Sequence, residues 1–163
     1  MGSFDDVLAS NADYASSFED TGLPGRAAKG LAVVTCMDSR IDPLRMLGLQ
    51  PGDAKIMRNA GGRVTDDVLR TLVLANHLLG VDRVLVVEHT ECKMASATDE
   101  QVHETIQADA GIDTRSLEFH TMSDQLASIA HDVQRVKSSP YLKGVTVGGF
   151  LLDIRSGLIK EVV

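Results

Sequence analysis

The sequence predicts an α/β fold, a mainly parallel β-sheet core flanked by helices, with a C-terminal hairpin or antiparallel edge strand. Three observations predict it. Residues 31–35 and 84–87 are continuous apolar, β-branched runs of the kind shown by strands buried on both faces. Between them, Val68, Leu72, Ala75 and Leu79 recur at helical spacing. Ser156-Gly157 turns one short C-terminal segment back on another.

Each element follows in order. The linker-like segment Thr21-Gly22-Leu23-Pro24-Gly25 sets off residues 1–25 as an arm that is expected to form a short helix. The first strand ends on Cys36. Asp42-Pro43 starts a helix that Gly48 stops, and the turn at residues 50–53 leads into a second strand at 54–57. Thr65 is the expected N-cap of the next helix, with Asp66 and Asp67 in its first turn and Gly80 at its end. The strand at 84–87 follows and delivers His89 beyond its end. Helices are expected at 98–110 and 124–136, then a strand at 145–147 and the final pair. The order β-α-β-α-β gives a parallel sheet, in which ligands collect beyond the carboxyl ends of the strands. Cys36 and His89 both fall there.

At 163 residues the chain fits one domain spanning 1–163. Its 44% hydrophobic and 24% charged content is that of a globular protein. A net charge of −7 leaves no basic surface for phosphates or an anionic membrane, so neither nucleic acid nor membrane is an expected partner. The early acids Asp5 and Asp6 and the absence of an apolar run argue against a signal peptide. Two cysteines are too few for a disulfide framework, and a cytoplasmic location, where thiols stay reduced, is expected.

Three segments carry chemistry: Cys36-Met37-Asp38-Ser39-Arg40, Arg58-Asn59-Ala60-Gly61-Gly62 and His89-Thr90-Glu91-Cys92. Catalytic zinc takes three thiolate or imidazole ligands and keeps one exchangeable position, and Cys36, His89 and Cys92 can supply those three. A buried cysteine or a chance His-x-x-Cys is the bland alternative for either part. Convergence of both cysteines and the histidine on one sheet edge favours the metal. Asp38, two residues past Cys36, points the same way in extended chain. There it can accept a hydrogen bond from water on the metal, or displace that water. Arg40 can fix Asp38 with a fork of donors. Gly61 and Gly62 precede the helix capped by Thr65, where backbone N–H groups suit an anion, although an ordinary glycine turn accounts for them equally well.

Cys-x-Asp-x-Arg, then Arg-Asn-Ala-Gly, then His-x-x-Cys resembles the signature of the β-carbonic anhydrases. The resemblance is close over residues 30–95, and the terminal hairpin resembles the short microbial members. It implies Zn2+ held by Cys36, His89 and Cys92, with Asp38 and Arg40 as the acid-guanidinium pair. Asp38 becomes a further ligand only in a closed state. It also implies reversible hydration of carbon dioxide to bicarbonate, and a homodimer or dimer of dimers. Two features depart from the family: Lys93 stands where Gly usually follows the second cysteine, and no Gln precedes Cys36. The alternatives are hydrolysis of carbon disulfide or carbonyl sulfide on the same scaffold, or a non-catalytic zinc or bicarbonate-binding module. His77, His103, His120 and His131 lack ligand spacing and read as surface or half-buried residues.

Overall fold

The computed structural model describes residues 2–163. Five strands, β1 (Leu31–Cys36), β2 (Ala54–Asn59), β3 (Arg83–His89), β4 (Thr146–Leu152) and β5 (Ile159–Glu161), form one sheet in the order β2-β1-β3-β4-β5. All pairings are parallel except β4 with β5, which is the antiparallel edge the C-terminal turn predicts.

The central position of β1 explains its composition. All six of its residues are buried, with β2 and β3 on either side and side chains packed above and below. Ala32 and Val34 join Leu72, Ile129 and Val133 in one core, while Leu31 and Val33 join Val87, Ile41 and Leu152 in the other. Burial of each such aliphatic side chain contributes roughly 2 kcal/mol.

Helix α1 (Asp5–Ser16) precedes the sheet, and α2 (Pro43–Met46) links β1 to β2 with the Asp42 side chain capping it. Helix α3 (Asp66–Leu79) crosses from β2 to β3. Thr65 Oγ1 accepts from the Val68 N–H, and Gly80 closes the helix at φ 74°, the left-handed conformation glycine adopts without strain. Helix α4 (Asp99–Ala110) starts in a capping box formed by Thr98 and Gln101. Helix α5 (Gln125–Lys137) packs on β3 and β4.

Strand β4 extends well past the expected 145–147 because Gly148-Gly149 masks its pattern. A side chain at Gly149 would meet Ile129 at 2.3 Å and Val163 at 2.6 Å, so the glycine lets α5 lie close to the sheet. Strands β2 and β3 likewise run two residues beyond their expected ends. The chain leaves β1 toward β2 on one side and returns to β3 on the other. The crevice between the carboxyl ends of β1 and β3 is therefore the topological switch point, where open α/β sheets bind ligands.

Candidate metal centre

Cys36 is the last residue of β1 and His89 the last of β3, so adjacent parallel strands deliver them side by side. Cys92 returns to the same point through a turn in which Glu91 takes φ 57°. A left-handed residue other than glycine is uncommon, and here it folds His89 and Cys92 onto one spot. The ligand atoms of all three residues lie within 4.8 Å of one another, and all three residues are buried.

The donor set fits zinc. Tetrahedral zinc with Zn–S of about 2.3 Å sets two sulfurs roughly 3.8 Å apart, and Cys36 Sγ and Cys92 Sγ are separated by 4.0 Å. His89 Nδ1 lies 2.8 Å from the Thr90 carbonyl, which can only accept, so Nδ1 carries the proton. This leaves Nε2 with its lone pair, fully buried and without a hydrogen-bond partner. An orphaned buried nitrogen is costly unless something binds it. Contact with the Cys92 sulfur holds the Cys36 thiol down, while the same contact and burial push the Cys92 thiol up. The backbone N–H groups of Asp38 and Gly61 lower Cys36 further. The pair thus favours one thiolate, at Cys36, and the second is the form Cys92 would take on binding a metal cation.

Asp38 Oδ2 stands 3.9 Å from His89 Nε2, facing the cluster. Arg40 grips this carboxylate with Nε to Oδ1 at 3.0 Å and Nη2 to Oδ2 at 2.7 Å, and its backbone N–H donates to Oδ1 at 2.9 Å. The Arg40 guanidinium holds the Asp38 carboxyl well below the usual carboxylate range. Glu91, paired with Arg155, lies 3.8 Å from Arg40 on its other side.

Gly61 and Gly62 are buried in a tight turn, Ala60–Gly62, in which both glycines take left-handed backbone at φ 82° and 73°. A Cβ on Gly62 would meet the Cys36 nitrogen at 2.9 Å and the Val87 oxygen at 3.0 Å. Gly62 therefore presses against the strand ends, while a Cβ on Gly61 would meet the Met122, Arg63 and Met94 side chains at 3.1–3.4 Å, so neither glycine lines an open helix terminus. The N-terminus of α3 is already served by Thr65, Asp66 and Asp67.

The structure gives roles to Arg58 and Asn59, which the sequence marks only as members of a segment, and adds Glu88, which it does not mark. Arg58 donates to the carbonyls of Cys36 at 3.0 Å and Asp38 at 2.6 Å, fixing the segment between the first ligand and the acid. Asn59 bonds both the N–H and the carbonyl of Arg63 at 2.8 Å, closing the glycine turn. Glu88, wholly buried beside His89, accepts from Ser128, and burial pushes its carboxyl up to about 7. Only its contiguity with His89 could have flagged it. His77, His103, His120 and His131 stay outside the cluster.

Comparison with known proteins gives consistent results. The sequence profile of the family described as Carbonic anhydrase matches residues 31–159. Beta-carbonic anhydrase 1 of Mycobacterium tuberculosis is 39% identical over 160 residues, covering 97% of this chain and 96% of that protein. A carbon disulfide hydrolase of Acidithiobacillus thiooxidans is 28% identical over 160 residues, covering 85% and 79%. Among solved structures, a carbonic anhydrase from Streptococcus mutans superposes with a TM-score of 0.92 at 35% identity, covering 100% of this chain and 99% of that one.

Proposed function

Because the chain belongs to the β-carbonic anhydrase family, we propose that it is a zinc hydro-lyase that interconverts carbon dioxide and bicarbonate, with Cys36, His89 and Cys92 as the metal ligands. The observation that carries the ligand assignment is the unpartnered, buried Nε2 of His89 beside two sulfurs at 4.0 Å. Zinc bound there supplies Lewis acidity, making a nucleophile available from water near neutral pH.

The chain's own residues do the rest. The Thr90 carbonyl fixes the His89 tautomer. Asp38 Oδ2 accepts a hydrogen bond from the attacking water and orients its lone pair, while Arg40 keeps the carboxylate ionised and turned to one side. Released by Arg40, Asp38 would be the further residue able to hold the metal, which is the closed state. Gly61 and Gly62 serve the substrate side with backbone alone: a side chain at Gly62 would collide with the strand backbone at Cys36 and Val87, and one at Gly61 would crowd the Met122, Arg63 and Met94 side chains.

The arm, residues 1–25, supports a homodimer or dimer of dimers. No residue of α1 is buried, and Phe4, Val7, Leu8 and Tyr14 all stand exposed, an apolar face of the kind a second copy covers. With the arm included, residues 1–163 act as one domain. Two free cysteines at the cluster suit the reducing cytoplasm, and among the described residues no helix is long and apolar enough to cross a membrane.

Elemental analysis together with stopped-flow hydration of carbon dioxide tests the proposal, with carbon disulfide and carbonyl sulfide assayed alongside. About one zinc per chain and rapid hydration are expected. Cys92→Ser should lose both, and His103→Ala neither. A folded protein without metal rejects the ligand assignment, and zinc without turnover of carbon dioxide rejects the activity.

A further inference from the structure

The cluster is held from behind by one face of α5. Gln125, Ser128 and Asp132 lie three and seven residues apart along the helix, which puts them on one side. Gln125 Nε2 donates to the backbone carbonyl of His89 at 2.8 Å. Ser128 Oγ donates to Glu88 Oε1 at 2.7 Å, and both residues are buried. Asp132, only 1% exposed, accepts from Arg63 Nε at 2.8 Å, Arg63 Nη2 at 3.1 Å and the Val64 N–H at 2.8 Å. The same helix therefore grips the end of β3, which carries His89, and the turn that sets Gly61 beside Cys36.

Apolar packing of α5 on the sheet is non-directional and tolerates small slips, whereas hydrogen bonds lose strength steeply with angle. Polar contacts at the strand end consequently fix where His89 points. The His89 ring is tied through Nδ1 to Thr90, and its backbone is tied through Gln125; neither bond involves the nitrogen left for the metal.

We propose that Gln125 and Ser128 are positioning residues of the metal centre, acting through the Glu88-His89 end of β3 to hold the imidazole in ligating geometry. The proposal rests on the zinc assignment above. Partners outside the ligand shell of a metal site are worth about 10-fold to 100-fold in affinity.

The test uses the whole 163-residue chain. Zinc affinity is measured by competition with a chromophoric chelator, and the visible bands of the cobalt(II)-substituted protein report ligand geometry. Gln125→Met keeps length and helix propensity but lacks the amide donor. Gln134→Met on the exposed side of α5 is the control. Gln125→Met should bind zinc about tenfold more weakly with shifted cobalt bands, Ser128→Ala should move in the same direction by less, and Gln134→Met should match the wild type. Should Gln125→Met fail to fold, Ser128→Ala and Gln125→Asn carry the same readouts. Unchanged zinc affinity and unchanged cobalt bands overturn the proposal, even where the melting temperature falls, because a merely structural role moves stability alone. A wild type that binds no zinc overturns the zinc assignment and this inference together. A wild type that binds zinc alongside unaffected variants overturns this inference alone.

Discussion

Arg40 meets Asp38 as a two-pronged donor, Nε on one carboxylate oxygen at 3.0 Å and Nη2 on the other at 2.7 Å. Both side chains are partly open to solvent, where an isolated ion pair contributes little to stability. Its importance lies in orientation, because the gripped oxygen is also the one facing His89 Nε2. Asp38→Asn should lower hydration turnover about a hundredfold, the scale of losing one positioned proton acceptor, with folding and zinc content retained. Arg40→Ala should cause a comparable loss. The double variant should lose little more than the worse single one, since residues acting as a unit are non-additive. Steady-state rates of the three variants check this, and a fully additive double loss would show two independent roles.

Lys93 stands where the resemblance leads to an expectation of glycine, yet the structure makes no demand for one. The residue is exposed, and the left-handed position of the turn is Glu91 instead. Lys93→Gly should leave zinc content unchanged and turnover within about twofold, the range of an ordinary surface substitution. Parallel metal analysis and stopped-flow rates decide it. A severalfold rise in rate would mean that the cation restrains turnover.

Gly62→Ala should be severe. The new Cβ would sit 2.9 Å from the Cys36 nitrogen and 3.0 Å from both the Thr35 carbonyl carbon and the Val87 oxygen, at φ 73°. Left-handed strain of about 1–2 kcal/mol and overpacking against backbone of about 1–3 kcal/mol act together. Urea denaturation should show a loss of about 3 kcal/mol, and zinc content should fall because the displaced backbone is that of Cys36.

Asp99 ties the start of α4 to the segment before α5. Burial pushes its carboxyl up, but Thr121, through its hydroxyl and N–H, and the Phe119 N–H outweigh this and bring it down to about 2. A carboxylate with a lowered folded-state value stabilises the fold above its unfolded value of about 4, and loses that contribution as the pH falls toward about 2. Asp99→Asn should therefore be less stable than the wild type at pH 6, by on the order of 1 kcal/mol. The gap should narrow as the medium is acidified toward pH 2. Denaturant midpoints at several pH values measure it, and a gap that does not depend on pH would remove the charge from the explanation.

Much of this was legible because local pattern and final position coincide. The apolar runs ending at Cys36 and before His89 are strands for the same reason that they are buried, and the parallel order puts their carboxyl ends together. Thr65 and Gly80 cap α3 through contacts within a few residues, which sequence shows directly. The polar face of α5 was hidden for the opposite reason. Gln125, Ser128 and Asp132 act through partners up to 69 residues away, which no local spacing marks. Strand β4 was shortened in prediction because glycines that admit a helix look like a loop. The left-handed Glu91 carries no sequence mark, since glutamate rarely adopts that conformation.

The two sulfurs of the cluster are 56 residues apart in the chain, and α3 must cross the sheet before β3 can dock beside β1. During synthesis, a chain that has emerged only as far as α3 carries Cys36 as a lone thiol with no imidazole to share an ion. Loading with metal therefore waits until residues 89 and 92 have left the ribosome and the parallel crossover has closed, a slow step because the chain entropy is lost before the long-range pairing compensates. Holoprotein formation is then expected to lag translation, and metal occupancy of arrested nascent chains to appear in one step rather than ligand by ligand.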